Sequence, residues 1–509
     1  MKTLEIKQSE FRWKQKAFCL FCAVLVLGVA FILAYHDKDW KHIWLATGMN
    51  NDEVFYNRQV VGVLAYGHPK GVFGYNESAA QIGHFGGWGP LLVYLQALPS
   101  LFIGTGVNTV FWSNVILFLV GWGVFVCCAK ISCKQQIVLG LAFVCAWLPL
   151  EQVFSGSSEP IQYTLILILF GACFSMRERV RPLFFGVAAL ACFLTTVTRA
   201  YTVLLWLFPL ALTWKKGHKY RLLGIVIAGI SLLLFGFSEA YCNAPYYEGM
   251  GTDTQGVQLL LEGKIGQAIW YEIDRVKEGI SFLYQSTVST LSGQPQEQGR
   301  AILIFGILFL VMLGCLVYDW THKRPVLFKG ITLFCIVLIL GAIFLVYSAG
   351  VIQRHLVMLC VWMLCVLISE DAAAFVAVIP LCALFLPMNL TVANLPTYSA
   401  EMDQQMVQVE EALQQCVEER SSKDPWDFTL AYAWGDGVFH GYLYSVPAGM
   451  GIQFDQSEYL ADDANPIRAR YAMVGHDTET EDRLLTEGWQ ELVSTEDLVV
   501  YERQEDFPQ

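Results

Sequence analysis

The chain has 509 residues, of which 55% are hydrophobic and only 15% are charged, and its mean hydropathy is +0.46. This balance excludes an ordinary soluble globular protein and indicates an integral membrane protein. The formal net charge of −12 comes largely from acidic runs near the C-terminal end, such as Glu410-Glu411 and Glu418-Glu419, which indicate a soluble tail and argue against nucleic acid as a partner.

Apolar runs that are long enough, or nearly long enough, to cross a bilayer occur along most of the chain. They cover residues 17–35, 107–129, 136–150, 160–176, 183–198, 201–214, 221–238, 300–318, 328–347, 355–369 and 373–390. The first run follows a basic start, but it has the length of a full span and no cleavage site follows it, so we expect a retained helix. The predicted fold class is an all-α polytopic membrane bundle with about 11 transmembrane helices.

The short loops predict the orientation of this bundle, because cytoplasmic loops carry an excess of Lys and Arg. With the N-terminus in the cytoplasm, the inside segments are the N-terminal arm and loops 130–134, 177–181, 215–221 and 321–329, and all of them are basic. The acidic pair Glu370-Asp371 is the exception. We therefore expect a multi-pass protein of the cell membrane with its C-terminal domain outside the cytoplasm.

Two long outside loops are predicted, at residues 36–106 and 238–300. The first contains an apolar segment, residues 88–104, that carries Pro90 and Pro99. Counting this segment as a span would invert every later loop, so we expect an interfacial or re-entrant helix. In the second loop, apolar residues recur at helical spacing over residues 256–289, which predicts amphipathic helices.

The character of the chain changes after residue 390. Residues 401–419 have the pattern of an amphipathic helix, and short apolar runs follow at residues 428–433, 442–446, 469–474 and 498–502. Because helical and strand-like segments alternate, we expect a small α/β domain. The predicted division is a transmembrane domain over residues 1–390, with both outside loops, and an extracytoplasmic accessory domain over residues 391–509.

Candidate catalytic residues stand just after the first span, where the sequence reads Asn50-Asn51-Asp52-Glu53. The simplest interpretation is the capped start of a helix. However, other ionisable residues fall at the same predicted face. These are Glu159, Arg199 with Tyr201 close by, and the pair Arg354-His355.

An arginine flanked by apolar helix is costly unless it is paired or reaches water. Each of Arg199 and Arg354 can alternatively extend to the lipid headgroups. Opposite a pair of carboxylates, the two together favour a charged pocket. Such a pocket suits a reaction at a lipid-linked phosphate, in which arginine neutralises the phosphate and a carboxylate accepts the proton of the acceptor.

These features resemble the GT-C glycosyltransferases, which include protein O-mannosyltransferases and lipid A aminoarabinose transferases. The resemblance covers residues 1–390 and rests on Asp52-Glu53, on the Gly/Pro-marked segment 86–92, and on Arg354-His355 opening a late span. It implies a polyprenyl-phosphate sugar donor, inversion at the anomeric carbon, catalysis on the outer face, and a cell-envelope glycan, lipid or protein as acceptor. The expected partners also include the lipids of the membrane that surrounds the bundle.

Carried over by position, the resemblance makes Asp52 the general base, Glu53 the neighbour that holds the acceptor or the base, and Arg354 the contact to the donor phosphate. Many family members have Arg-Tyr and a nearby proline where this chain has Arg354-His355. Topology alone assigns Arg199 to phosphate binding. The remaining predicted substrate-binding residues are Arg58, His84, Glu159, Tyr201 and His355.

No cofactor is required by any motif, although Glu151 and Glu159 leave a divalent cation as an open alternative. His84, in a glycine-rich turn, is equally well explained as a structural residue. Three other functions stay open. A polysaccharide polymerase or ligase would lack the acidic pair of the first loop, a secondary transporter should show internal repeats and midplane charges, and a scaffold would not need so many spans.

Overall fold

The structure is a computed structural model. It describes residues 2–35, 51–68, 74–75, 89–129, 131–214, 217–242, 255–293, 297–346, 352–386 and 399–504.

The N-terminal three-quarters of the described chain is helical. In chain order the helices are α1 (Lys2–Tyr35), α2 (Asn51–Tyr66), α3 (Gly89–Ile103), α4 (Thr109–Ala129), α5 (Cys133–Ala146), α6 (Leu148–Val153), α7 (Glu159–Ser175), α8 (Pro182–Thr198), a 3-10 helix (Ala200–Trp206), α9 (Leu207–Thr213), α10 (His218–Tyr241), α11 (Gln255–Leu261), α12 (Ile265–Leu291), α13 (Glu297–Thr321), α14 (Leu327–Val346), α15 (Ile352–Glu370), α16 (Ala372–Val376) and α17 (Val378–Ala383).

Five helices in the described part of the chain are long and apolar enough to cross a membrane. They are Trp13–Tyr35, Thr109–Ala129, His218–Tyr241, Gly299–Thr321 and Leu327–Leu345. Shorter apolar helices accompany them, including α3, α5, α7 and α8. The predicted class, a helical membrane bundle followed by a small α/β region, is confirmed, whereas the count of eleven spans stays a prediction.

Several predicted spans are interrupted helices. The span at residues 136–150 is broken at Trp147, whose φ of 57° lies in the left-handed region and ends α5 before α6 begins. The span at residues 201–214 starts as a 3-10 helix, and the span at residues 373–390 is divided at Ala377 between α16 and α17. Segment 88–104 forms α3 as a helix, even with Pro99 inside it.

Helix α15 is the centre of the bundle. Its side chains are buried on every face from residue 355 to residue 368, as expected for a helix surrounded by other helices. Trp362 packs against the rings of Phe170 in α7 and Phe208 in α9, with centroid separations of 6.1 and 5.4 Å. These aromatic contacts join three helices at the same depth.

The end of α15 at Glu370 carries a buried ionic cluster. Lys329 Nζ lies 2.6 Å from Asp319 Oδ2, 3.2 Å from Glu370 Oε2 and 2.6 Å from Asp371 Oδ2, and Lys329 is 2% exposed. Arg177 also pairs with Glu370. The acidic pair that was the exception in the loop pattern is therefore neutralised by basic residues of two loops predicted on the same side.

The C-terminal region contains α18 (Ala400–Glu419), α19 (Ser457–Ala461) and α20 (Glu479–Thr486) around a sheet. Its strands are β2 (Thr429–Trp434), β3 (Gly451–Gln456), β4 (Tyr471–Val474), β5 (Gln490–Ser494) and β6 (Val499–Glu502), and β1 (Gly74–Tyr75) comes from the first long loop. The order is β1-β3-β2-β4-β6-β5, with parallel pairing from β1 to β4 and antiparallel pairing for β6 and β5.

Two details of this region differ from the sequence prediction. The apolar run at residues 442–446 lies in and just after a 3-10 helix, His440–Ser445, because its tyrosines turn back into the core instead of extending along a strand. Strands β3 and β5 have no matching prediction. The amphipathic helix at residues 401–419 is confirmed as α18, which buries Met406, Val409 and Leu413.

Candidate active site

Arg199 is the centre of a buried polar cluster at the end of the bundle opposite Lys329. It is 2% exposed. Its Nη2 donates to Glu159 Oε1 at 2.9 Å, and its Nη1 lies 3.3 Å from the Tyr201 hydroxyl and 3.2 Å from His355 Nδ1. Three helical segments far apart in the sequence therefore meet at one guanidinium, and four of the predicted site residues are brought together.

The local sequence explains why Arg199 turns into the bundle. Helix α8 ends in threonines, and the hydroxyls of Thr195, Thr196 and Thr198 donate back to carbonyl oxygens of the same helix. Such back-bonding competes with regular helix continuation. The backbone of Arg199 is then extended for one residue, with φ −149° and ψ 103°, before the 3-10 helix begins.

Glu159 is held by the loop that precedes it, residues 154–158. Asn114 Nδ2 donates to the carbonyl oxygens of Ser155 and Ser157, both at 2.8 Å, and Gln96 Nε2 donates to Ser157 O at 3.1 Å. Glu159 then opens α7, where the exposed N–H groups and the helix dipole favour a carboxylate. Its position is therefore fixed by α3 and α4 as well as by Arg199.

The hydrogen bonds of the cluster determine the proton arrangement on His355. A guanidinium only donates, so His355 Nδ1 is the acceptor toward Arg199. The Tyr201 hydroxyl lies 2.6 Å from the same Nδ1 and donates to it, while accepting from Arg199. The neutral tautomer with its proton on Nε2 leaves the one lone pair of Nδ1 to accept from Tyr201 at 2.6 Å, with Arg199 sharing it at 3.2 Å, and we assign it on that basis.

Arg354 differs from Arg199 in exposure. It is partly exposed at the start of α15, and it interacts electrostatically with Glu159 and His355. The guanidinium of Arg199 is fully buried against Glu159, whereas Arg354 is only partly buried. Of the two arginines, Arg354 is therefore the more accessible to solvent.

Helix α2 connects the acidic motif to this cluster. Asp52 is the second residue of α2, and its side chain lies outside the described residues. Glu53 is 4% exposed and packs on Gly156 of the loop before Glu159. A Cβ atom at Gly156 would lie 3.1 Å from the Cβ of Glu53, so a side chain at this position would require Glu53 to shift by a few tenths of an ångström.

Arg58 lies on another face of α2. Its Nη1 donates to Tyr444 O of the C-terminal domain at 3.2 Å. Burial lowers the pKa of Arg58 to about 10, against the opposing effect of Glu410, so Arg58 stays cationic at neutral pH. The structure thus gives Arg58 a hydrogen bond to the C-terminal region of the chain.

Two further predictions concern His84 and a divalent cation at Glu151 and Glu159. His84 lies outside the described residues. Glu151 is 3.6 Å from Arg300 Nη2, and Glu159 bonds Arg199, so the two carboxylates are paired with different arginines. Within the described ranges no group of three or more His, Cys, Asp or Glu side chains has a metal-binding arrangement.

Sequence reasoning missed several buried polar residues, of which Gln96 and Asn114 support the loop before Glu159. Arg300 is fully buried at the start of α13 and pairs with Glu151. The sequence feature that could have identified it is a lone arginine at the edge of an apolar run. Gln96 and Asn114 are amides inside apolar helices. Buried amides need partners, which would have marked them as supports for a nearby loop.

Comparisons with known proteins give distant structural likenesses. No protein-family model matches the chain, and no curated protein sequence matches it. The archaeal oligosaccharyltransferase AglB from Archaeoglobus fulgidus, in complex with an inhibitory peptide and a dolichol-phosphate, is similar with a TM-score of 0.49 and 12% identity, over 97% of this chain and 75% of that chain.

ArnT from Cupriavidus metallidurans bound to undecaprenyl phosphate is similar with a TM-score of 0.41 and 12% identity, over 96% of this chain and 99% of that chain. The apo state of ArnT gives the same TM-score and identity. The function proposed below rests on the residues of this chain.

Proposed function

We propose that this protein is a membrane glycosyltransferase that moves a sugar from a polyprenyl-phosphate donor to a cell-envelope glycan, lipid or protein acceptor, with inversion at the anomeric carbon. The observation that carries the proposal is the buried cluster of Glu159, Arg199, Tyr201 and His355, with Arg354 at its edge. Helix α2, which bears the acidic motif, packs against the loop that leads into this cluster.

The chemistry divides between the two sides of the site. The acceptor hydroxyl attacks the anomeric carbon from the face opposite the phosphate, and Asp52 takes the hydroxyl proton. The bond from the anomeric carbon to the phosphate oxygen breaks, and its electron pair stays on the polyprenyl phosphate. Arg354 neutralises the charge that develops on this leaving group, and Arg199 holds Tyr201 and His355 beside it.

The orientation and the division into domains are part of the proposal. The N-terminus lies in the cytoplasm, residues 1–390 form the catalytic domain in the membrane, and residues 391–509 form an accessory domain outside. The basic loops support this orientation. Support also comes from Arg58 and Tyr444, whose hydrogen bond joins the accessory domain to the helix that carries Asp52.

Sealed vesicles of known orientation provide the test. Right-side-out vesicles that contain the full chain receive an undecaprenyl-phosphate monosaccharide and a cell-envelope extract as the source of acceptor, both added outside. They should consume the donor and release undecaprenyl phosphate, and inside-out vesicles should not. Arg354→Ala should lower this rate by roughly 10²- to 10³-fold, the usual effect of removing one transition-state donor. Arg179→Ala, an exposed arginine at the opposite end of the bundle, is the matched control.

Each alternative outcome of the vesicle assay would change a specific part of the proposal. If no monosaccharide donor is consumed but a lipid-linked oligosaccharide is, the protein is a polymerase or ligase instead. Consumption only by inside-out vesicles would reverse the orientation. Equal activity of the Arg354→Ala and Arg179→Ala chains would remove Arg354 from the donor site.

Gly156 provides a second test, which depends on the position of Glu53. Gly156→Val should push Glu53 and α2 away from the Glu159 loop and lower the transfer rate by roughly 10- to 100-fold, because small displacements at a reacting centre are costly. The control is Gly186→Val in α8, where an added Cβ meets no atom within 4 Å. Rates measured for both variants at equal protein levels check the prediction, and an unaffected Gly156→Val enzyme would contradict it.

A further inference from the structure

The C-terminal domain contains a polar cavity of about 880 Å³ that the proposed transfer chemistry does not use. It opens at the edge of the sheet where β2 and β4 begin, between the 3-10 turn Pro425–Phe428 and the loop of residues 463–468. Its volume falls within the roughly 300–1,000 Å³ that is typical of small-molecule sites. The lining chemistry indicates which class of ligand fits.

Two indole rings line this cavity. Trp489 is 5% exposed, and its Nε1 donates to Glu487 Oε2 at 3.2 Å, so it forms a fixed wall. Trp426 is partly exposed. The guanidinium of Arg468 lies 5.8 Å from the centroid of Trp426, which is near the outer limit of a cation–π contact, and Arg468 is itself exposed. A ligand ring can therefore take its place over Trp426.

The charged groups of the cavity argue against an anion as ligand. Four carboxylates and three guanidiniums line it. Arg483 donates to Leu460 O and Asp462 O, at 2.6 and 2.8 Å, and Arg503 donates to two further backbone carbonyl oxygens. Three of the four carboxylates are engaged as well, Asp424 by the backbone N–H of Trp426, Asp427 by Ser422 and Glu487 by Arg483. The fourth, Asp463, has a largely exposed side chain, and its accessible acceptor oxygens can bind hydroxyl and N–H groups.

We propose that this cavity binds a neutral or amino sugar unit of a glycan. A pyranose ring has a C–H face that packs on an indole, and hydroxyls that donate to carboxylates, which matches a lining that contains both Trp426 and Asp463, the latter with a side chain that is 90% exposed. Aromatic rings supply large contact area at low entropy cost. Sugar binding by this cavity does not depend on the proposed function. The role of holding an acceptor glycan near the catalytic domain does rest on that function.

Binding to the full chain in lipid nanodiscs, with no donor present, tests this site. Isothermal titration uses three probes: tetramers of mannose, of N-acetylglucosamine and of galacturonic acid. At least one neutral tetramer should bind, and Trp426→Ala should weaken it roughly tenfold or more, as expected for a central aromatic contact. Trp426→Phe, which keeps a ring, should retain part of the affinity.

Trp434→Ala is the matched control, because Trp434 is 55% exposed at the end of β2 and does not line the cavity. The proposal is overturned if neither neutral tetramer binds, if the acidic tetramer binds best, or if Trp426→Ala and Trp434→Ala have equal affinity. Because no donor is present, an inactive transferase would leave these results unchanged, so the failure of one proposal is distinguishable from the failure of the other.

Discussion

Asp52→Asn is expected to lower the rate of sugar transfer by roughly 10²- to 10⁴-fold, the range that general acid–base catalysis usually supplies. Asparagine has nearly the same shape as aspartate but cannot take the proton of the acceptor hydroxyl. Asp52 is the second residue of α2, so the amide should leave the helix and its packing intact. The measurement is release of undecaprenyl phosphate from right-side-out vesicles, with the donor at saturation.

Two further variants make the Asp52 result interpretable. Asp274→Asn removes an exposed carboxylate from α12 and should keep the full rate. Glu53→Gln should reduce the rate less than Asp52→Asn, because Glu53 is assigned to holding the acceptor or the base. A full rate for Asp52→Asn, together with a large loss for Glu53→Gln, would transfer the base assignment to Glu53.

Glu159→Gln is expected to destabilise the protein by about 3–5 kcal/mol, since removing one partner of a buried ion pair leaves the other charge uncompensated. Glu159 and Arg199 are both almost fully buried, with a 2.9 Å contact, and Arg354 adds a second positive charge nearby. The change should appear as a lower midpoint of thermal unfolding in detergent, together with loss of transfer.

The double variant Glu159→Gln/Arg199→Gln separates a charge effect from a loss of packing. It should be less destabilised than the sum of the two single variants, because neither charge is left alone. The exposed pair of Asp274 and Lys277 is the control, and its neutralisation should not change the unfolding midpoint. If the losses of stability caused by the Glu159 and Arg199 substitutions add up in the double variant, the ion pair does not stabilise the site.

The sequence was sufficient to predict features that depend on neighbouring residues. Helices α12 and α18 follow from apolar spacing alone, and α3 follows from the charge pattern of the loops around it. The meeting of Arg199 with His355 also follows, because both stand at the same end of their spans. The prediction of a strand-like segment at residues 442–446 failed because a short apolar run does not distinguish a strand from a 3-10 helix.

The parts that could not be predicted depend on long-range pairing. Arg58 is close to Asp52 in the sequence, but it lies on a different face of the helix from Glu53. Only the packing of the C-terminal domain shows that the face with Arg58 contacts this domain. Arg300 and Glu151 belong to separate helices, and nothing in either local sequence names the partner. The same holds for Asn114, whose loop partners lie in the segment before α7.

The edge strand β1 and the bond from Arg58 to Tyr444 have a consequence for biosynthesis. Arg58 and Tyr444 are 386 residues apart in the chain, and Gly74–Tyr75 pairs with β3. Contacts of such long range form late and slowly. The segment carrying the acidic motif leaves the ribosome early, yet its partners are among the last residues translated. A chain that is truncated before β3 therefore lacks the partners of both Arg58 and β1, so these early segments stay without their native contacts until translation is nearly finished.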